Sequence, residues 1–215
     1  MSEELNKPPP LLSVAILAGG ESRRMGKDKA FLTYRGKRFI ETIAQVALKV
    51  SDDVMVVIGS KQEGEFRWLA SLKNQEEGGV SISLLSDEYR LKNPVGGILT
   101  AAQHARHEYM TVLPCDSPLV SPGVIKFLRV HAENHSGAVP VWENGDTEPL
   151  CAVYRTSEIG EAIKKALAQN KLGPKHAISF LQDVRFVPVE ELRRFDSSLE
   201  SFRNVNTIED FESLP

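Results

Sequence analysis

Val14-Ala15-Ile16-Leu17-Ala18 is an uninterrupted apolar run closed at once by Gly19 and Gly20, and it decides most of what this chain can fold into. Consecutive apolar residues without alternation fit a strand covered on both faces, as in a parallel sheet with helices on either side. The chain downstream repeats the theme. Phe39 to Val50 sets Ile40, Ile43, Ala44, Ala47 and Leu48 at helical intervals, and Val54 to Ile58 is a second buried strand, completing a βαβ unit. The alternation continues with an expected helix over 66–72, a strand over 80–85, a helix over 97–105 and a strand over 110–113. After Pro118 come a helix over 124–132 and two β-like runs, 138–142 and 150–154, joined through a turn at Asn144-Gly145. An amphipathic helix over 158–169, a strand over 184–189 and a helical turn over 208–211 close the series. The expected fold is α/β: a three-layer α/β/α sandwich on a mostly parallel, Rossmann-like sheet.

The 215 residues support one well-buried core. Residues 1–10 are polar and proline-rich and read as a flexible tail, which leaves 11–215 as a single domain. Hydrophobic residues at 41% and charged residues at 26% are globular usage and exclude disordered, collagenous and coiled-coil chains. A net charge of −3 gives no general attraction for polyanions, so nucleic acid is not an expected partner. No apolar run approaches the ~20 residues of a membrane span, and Glu3 and Glu4 stand where a secretory leader would carry cations. Only Cys115 and Cys151 are present, without CxxC spacing, so a reducing cytoplasm is the expected setting.

The segment Gly19-Gly20-Glu21-Ser22-Arg23-Arg24-Met25-Gly26-Lys27-Asp28-Lys29 leaves the carboxyl end of the first strand, where open α/β sheets bind ligands. Glycines let the backbone approach a phosphate, and four cations within seven residues concentrate positive charge in a chain that is slightly acidic overall. Two readings stand: a solvated basic turn, or a cradle for a polyphosphate. It is neither a Walker A loop nor GxGxxG, because five residues separate Gly20 from Gly26 and Asp28 follows Lys27.

Asp116, in Pro114-Cys115-Asp116-Ser117-Pro118, emerges from the strand over 110–113 at the same sheet edge. It either caps the turn before Pro118 or supplies the single carboxylate that Mg²⁺ needs beside substrate phosphates. Asp87 ends another strand, and Asn93-Pro94-Val95-Gly96-Gly97 opens a helix beside it, so both turns could bracket one nucleotide. Near the end, Asn206 or Thr207 could cap the helix over 208–211.

Leu17-Ala18-Gly19-Gly20, a short spacer, Arg24-Met25-Gly26, then Asp28-Lys29 closely resembles the signature loop of nucleotidyltransferases, specifically the molybdenum cofactor guanylyltransferase family. The resemblance spans most of the chain and implies a sheet of the nucleotidyltransferase type. It further implies transfer of GMP from Mg·GTP to Mo-molybdopterin, giving molybdopterin guanine dinucleotide and pyrophosphate. Gly19 and Gly20 then embrace the nucleotide, and Arg24 and Lys29 neutralise its phosphates, with Arg23 a weaker candidate. Asp116, in a motif that looks like the family's PCDxP, holds Mg²⁺. Asp87 with Gly96 and Gly97 resembles the guanine and ribose contacts, with Asn93 in place of the family's first glycine. Backbone carbonyls of Leu17 and Ala18 could accept from guanine N1–H and N2–H₂. Asn204 and Asn206 stand in an element similar to the family's NVNTPE and would face the acceptor, as would the strand from Glu148 to Tyr154. Where relatives often carry arginines this chain has Lys175 and His176. Residues 11–118 are thus expected to bind the nucleotide and 119–215 the acceptor, with proteins that supply and receive the cofactor as further partners. The alternatives are a cytidylyl- or sugar-phosphate nucleotidyltransferase, whose cytidine-using members tend to read LAAG, and a non-catalytic GTP-binding regulator.

His104 with His107, and His131 with His135, have metal-ligand spacing but no matching acid or cysteine, so they read as exposed helix residues and no zinc is expected. Cys115 lacks a partner histidine and a nucleophile elbow and reads as a small buried residue. Trp68 and Trp142 read as core or rim packing.

Overall fold

The computed structural model describes residues 11–19, 28–72, 82–89, 91 and 93–215. The expected tail 1–10, Gly20 and Arg23-Arg24 lie outside the described residues.

A seven-stranded sheet forms the middle layer. Its strands are β1 (Ser13–Leu17), β4 (Asp53–Ile58), β5 (Ile82–Ser86), β6 (Tyr109–Pro114), β7 (Gly137–Val141), β8 (Ala152–Arg155) and β9 (Val184–Pro188), in the order β5-β4-β1-β6-β8-β7-β9. Every strand but β8 runs in one direction, since β8 pairs antiparallel with both β6 and β7 while β9 pairs parallel with β7. A short antiparallel hairpin, β2 (Thr33–Tyr34) and β3 (Lys37–Arg38), stands apart.

Strand alternation sorts the core into two slabs. Val14 and Ile16 of β1, Ala18 just beyond it, and Val54, Val56 and Ile58 of β4 face α1 (Phe39–Leu48) and α4 (Pro122–His131). Ala15 of β1 and Met55 and Val57 of β4 face α3 (Pro94–His104), α5 (Thr156–Ala168) and α6 (Pro174–Ile178). Each buried Val, Ile or Met among them stabilises the fold by about 1.5–3 kcal/mol, so a strand apolar at every position is what a sheet covered twice requires.

Most expected elements stand within a few residues of their places. The helix expected over 66–72 is instead α2 (Glu63–Phe66) followed by a 3₁₀ turn, Arg67–Ser71, with Phe66 and Leu69 buried. The hairpin β2–β3, α6 and α7 (Val189–Leu192) were not signalled, being too short to show a period. Asn144-Gly145 does turn the chain, with Gly145 at φ 86°, but β7 and β8 pair only at Gly137–Tyr154 and Ala138–Val153. His107 is not an exposed helix residue. It follows α3 in a loop, its side chain is 13% exposed, and its Nε2 lies 2.6 Å from Asp52 Oδ1. His135 also lies beyond α4 and contacts Asp183 at 3.0 Å. Among the described residues no helix is long and apolar enough to cross a membrane.

Candidate functional site

Four adjacent parallel strands end in a row. Ala18 N–H donates to Val57 O at 2.8 Å, Cys115 N–H to Leu17 O at 3.1 Å and Asp87 N–H to Ile58 O at 2.8 Å, so the ladder continues past the strands into their loops. Gly19, Gly59, Asp87 and Asp116 therefore share the carboxyl edge of the sheet, where α/β folds bind ligands. The Leu17 carbonyl expected to face a base already accepts the Cys115 N–H. Gly19 lies against the neighbouring loop, and a Cβ there would stand 3.0 Å from Gly59 N.

Asp87 sits against the first turn of α3. A Cβ on Gly96 would lie 3.0 Å from both Asp87 carboxylate oxygens, so glycine is what allows the carboxylate to come this close. Oδ1 of Asp87 also accepts the Tyr89 N–H at 2.9 Å. Asn93 is the N-cap of α3: its φ is −152° and its Oδ1 accepts the Val95 N–H at 3.1 Å. Asparagine here serves as an N-cap, and its tolerance of positive φ is not used.

Lys29 opens the 3₁₀ turn Lys29–Phe31, whose N-cap is Asp28. Asp28 Oδ1 accepts the Ala30 N–H at 3.0 Å and Oδ2 accepts Gln62 Nε2 at 2.7 Å, while Gln62 Oε1 accepts the Gly59 N–H at 2.8 Å. This relay clamps the turn to the end of β4. Burial, and beyond it the nearby Glu65 charge, raises the Asp28 carboxyl above its ordinary value despite hydrogen bonds from Ala30 and Gln62. Asp28 and Gln62 were missed as positioning residues, because a relay between separate loops leaves no local spacing.

From this turn Lys29 Nζ reaches Asp116 Oδ2 at 3.3 Å and Asn206 Oδ1 at 2.7 Å. The Asp116 carboxylate thus pairs with the Lys29 ammonium. The carboxy-terminal segment is stitched to the same strand end: Val205 N–H donates to Asp116 O at 2.9 Å and Ser117 Oγ to Asn204 Oδ1 at 2.7 Å. The capping role falls to Thr207 alone, in a reciprocal box with Asp210 at the start of α8 (Ile208–Glu212), which leaves the Asn206 amide for Lys29.

Beyond Asp116 opens a cleft of about 570 Å³, lined by Asp116, Asn204 and Asn206 together with residues of the β7–β8 connection. Lys175 of α6 pairs with Asp146 at 3.0 Å, and Trp142 Nε1 donates to Glu148 Oε1 at 2.6 Å. Trp142 packs edge-on to Phe202, so it lines the cleft as well as the core. Cys151 is buried at the cleft floor. Burial, with Glu148 and Asp196 adding, pushes its thiol up to about 12. Cys115 is only partly covered, a correction to the buried reading, yet burial and the neighbouring Asp116 also push its thiol up.

Among the described residues no three His, Cys, Asp or Glu side chains cluster as a metal site. A cation held by Asp116 would have to bring most of its oxygen ligands with it, as Mg²⁺ does when bound to a nucleoside triphosphate.

Residues 14–185 match the model of the MobA-like NTP transferase domain. The chain belongs to that family. It is therefore a nucleotidyltransferase, and the seven-stranded sheet is the family's fold. The chain is 34% identical over 94% of its length, and 89% of the relative's, to a probable molybdenum cofactor guanylyltransferase of Methanosarcina mazei. It is 33% identical to the molybdenum cofactor guanylyltransferase of Desulfosudis oleivorans, covering 92% of this chain and 91% of that one. Among solved structures, molybdopterin-guanine dinucleotide biosynthesis protein A of Archaeoglobus fulgidus superimposes with a TM-score of 0.75 at 26% identity, covering 93% of this chain and 95% of that one. The 2-C-methyl-D-erythritol 4-phosphate cytidylyltransferase of Thermus thermophilus shares the fold, with a TM-score of 0.65 at 16% identity.

Proposed function

We propose that this family member acts in molybdenum cofactor biosynthesis, transferring GMP from Mg·GTP to the terminal phosphate of Mo-molybdopterin. A phosphate oxygen of the acceptor forms a bond to the α-phosphorus of GTP, and the bond from that phosphorus to the leaving pyrophosphate breaks. The names of its full-length relatives support this reading. The observation that carries it is Lys29, whose ammonium lies between Asp116 and Asn206, where the nucleotide loop meets the cleft.

In this reading the base lies toward Leu17, Ala18, Gly19, Asp87 and Gly96, with Gly20 and Arg24 closing on the phosphates. Lys29 binds the oxygens that gain charge as the α-phosphorus is attacked, a contact that strengthens toward the transition state. Asp116 would hold Mg²⁺, which when bound neutralises phosphate charge and aligns the triphosphate. Asn204 and Asn206 would orient the acceptor at the rim of its cleft. In-line attack needs no covalent enzyme intermediate, and neither cysteine offers a thiolate for one. The setting proposed is the cytoplasm, with handover from and to proteins that supply and receive the cofactor.

The test is pyrophosphate release with Mg²⁺ and Mo-molybdopterin, supplying GTP, CTP, ATP and UTP separately. Release with GTP alone is expected. Release with CTP instead would make the chain a cytidylyltransferase, and GTP binding without release would make it a regulator.

A further inference from the structure

The cleft beyond Asp116 contains three carboxylates, and two face cations: Asp116 faces Lys29 at 3.3 Å and Asp146 faces Lys175 at 3.0 Å. The third, Glu148, is bonded to a neutral group, the Trp142 indole N–H. Among the described residues no cation pairs with Glu148 and its Oε2 accepts no hydrogen bond. The side chain is nonetheless held in place. Glu148 N–H donates to Pro140 O at 3.0 Å, and the indole fixes Oε1 at 2.6 Å.

A carboxylate without a cation repels an anionic substrate unless it accepts hydrogen bonds from it. On the proposed reaction the acceptor has two unlike ends, an anionic phosphate and a flat pterin. The pterin's pyrimidine ring carries an amino group beside a ring N–H, two donors side by side that match the two oxygens of one carboxylate. Resting on that reading of the reaction, we infer that Glu148 is the residue that selects the acceptor's heterocycle, accepting from its amino and ring N–H groups beside Trp142. The phosphate end then points to Asp116, which lines the same cleft, and to Lys29 beside it. A volume of about 570 Å³ suits a ligand of this size. Oε1 keeps a lone pair after accepting the indole N–H, so Trp142 orients the carboxylate without consuming it.

The probes are pterin and lumazine: lumazine keeps the ring N–H but carries an oxo group, with a further ring N–H beside it, where pterin carries the amino group. Titrated by fluorescence, the wild-type protein is expected to bind pterin at least roughly tenfold more tightly than lumazine, the effect of one charge-assisted hydrogen bond. Glu148→Gln should abolish that preference and raise the KM for Mo-molybdopterin roughly tenfold or more, with the KM for Mg·GTP unchanged. Trp142→Phe keeps the ring and loses the donor, and should move the same quantities less. Thermal midpoints near wild type establish that both variants are folded. A folded Glu148→Gln protein that still prefers pterin overturns the inference, as does wild-type binding of neither probe at millimolar concentration. A rise in the KM for GTP instead would make this cleft the guanine subsite and would also overturn it. Failure of wild type to release pyrophosphate from GTP counts against the proposed reaction, whereas the pterin–lumazine comparison judges Glu148 alone.

Discussion

Lys29 Nζ donates to Asn206 Oδ1 at 2.7 Å, joining residues 177 positions apart beside the cleft that opens past Asp116. The same ammonium faces Asp116, so the two charged groups that the proposed reaction needs most are already preorganised. Lys29→Ala and Asp116→Ala are each expected to lower turnover roughly 10²-fold or more, as removal of a preorganised electrostatic group does. Asn206→Ala should cost less, on the order of tenfold, because it frees the lysine without removing it. Pyrophosphate release under saturating substrates measures all three, and near-wild-type turnover in the Lys29 or Asp116 variant would remove that residue from its role.

The contact between Gly96 and Asp87 predicts a different signature. A methyl group at residue 96 would press on both carboxylate oxygens at 3.0 Å, and Asp87 must shift or the helix start must move. Gly96→Ala should therefore raise the KM for GTP roughly tenfold while leaving kcat nearly unchanged, the pattern expected for lost uniform binding. A change in kcat with an unaltered KM would dissociate Asp87 from nucleotide binding.

Both thiols should be silent at neutral pH. Burial pushes Cys151 up to about 12, so at pH 8 only about one molecule in 10⁴ carries the reactive thiolate, and Cys115 is raised as well. A disulfide-exchange reagent at pH 8 is expected to label neither thiol in the native protein within minutes and both in denaturant. Rapid native labelling that abolishes activity would place a reactive thiol in the site.

Strands that are apolar at every position could be read from the sequence, because burial on both faces leaves no alternation to obscure them. Loop-borne relays could not. Asp116 was visible as an acid at the end of an apolar run, but its cation lies 87 residues away, and nothing local shows that Asn206, not Thr207, reaches the same point. His107 misled for a related reason: spacing of three from His104 suggests one helix face, yet the helix ends at His104 and His107 turns inward to Asp52. The resemblance marked the strand from Glu148 and the position of Lys175, but only the fold shows that the β7–β8 connection and α6 line one cleft.

The Asp52–His107 pair gives a pH dependence whose sign is fixed. The hydrogen bond from His107 holds the Asp52 carboxyl below its ordinary value of 3.8, aided by the charges of His107 and Arg106. The folded state then holds this proton less readily than the unfolded chain, so the pair's contribution is present above about pH 3.8 and is lost as the pH falls through the lower folded value. Asp52 is more than half exposed, and water screens the pair, so the effect is a modest shift in Tm. Asp52→Asn should lower Tm at pH 6, and the difference from wild type should shrink steadily below pH 3.8 as the carboxyl protonates. Calorimetric scans across that range decide it: a Tm difference that grows toward low pH would mean that the pair opposes folding, and a difference constant with pH would mean that the asparagine acts through packing and not through charge.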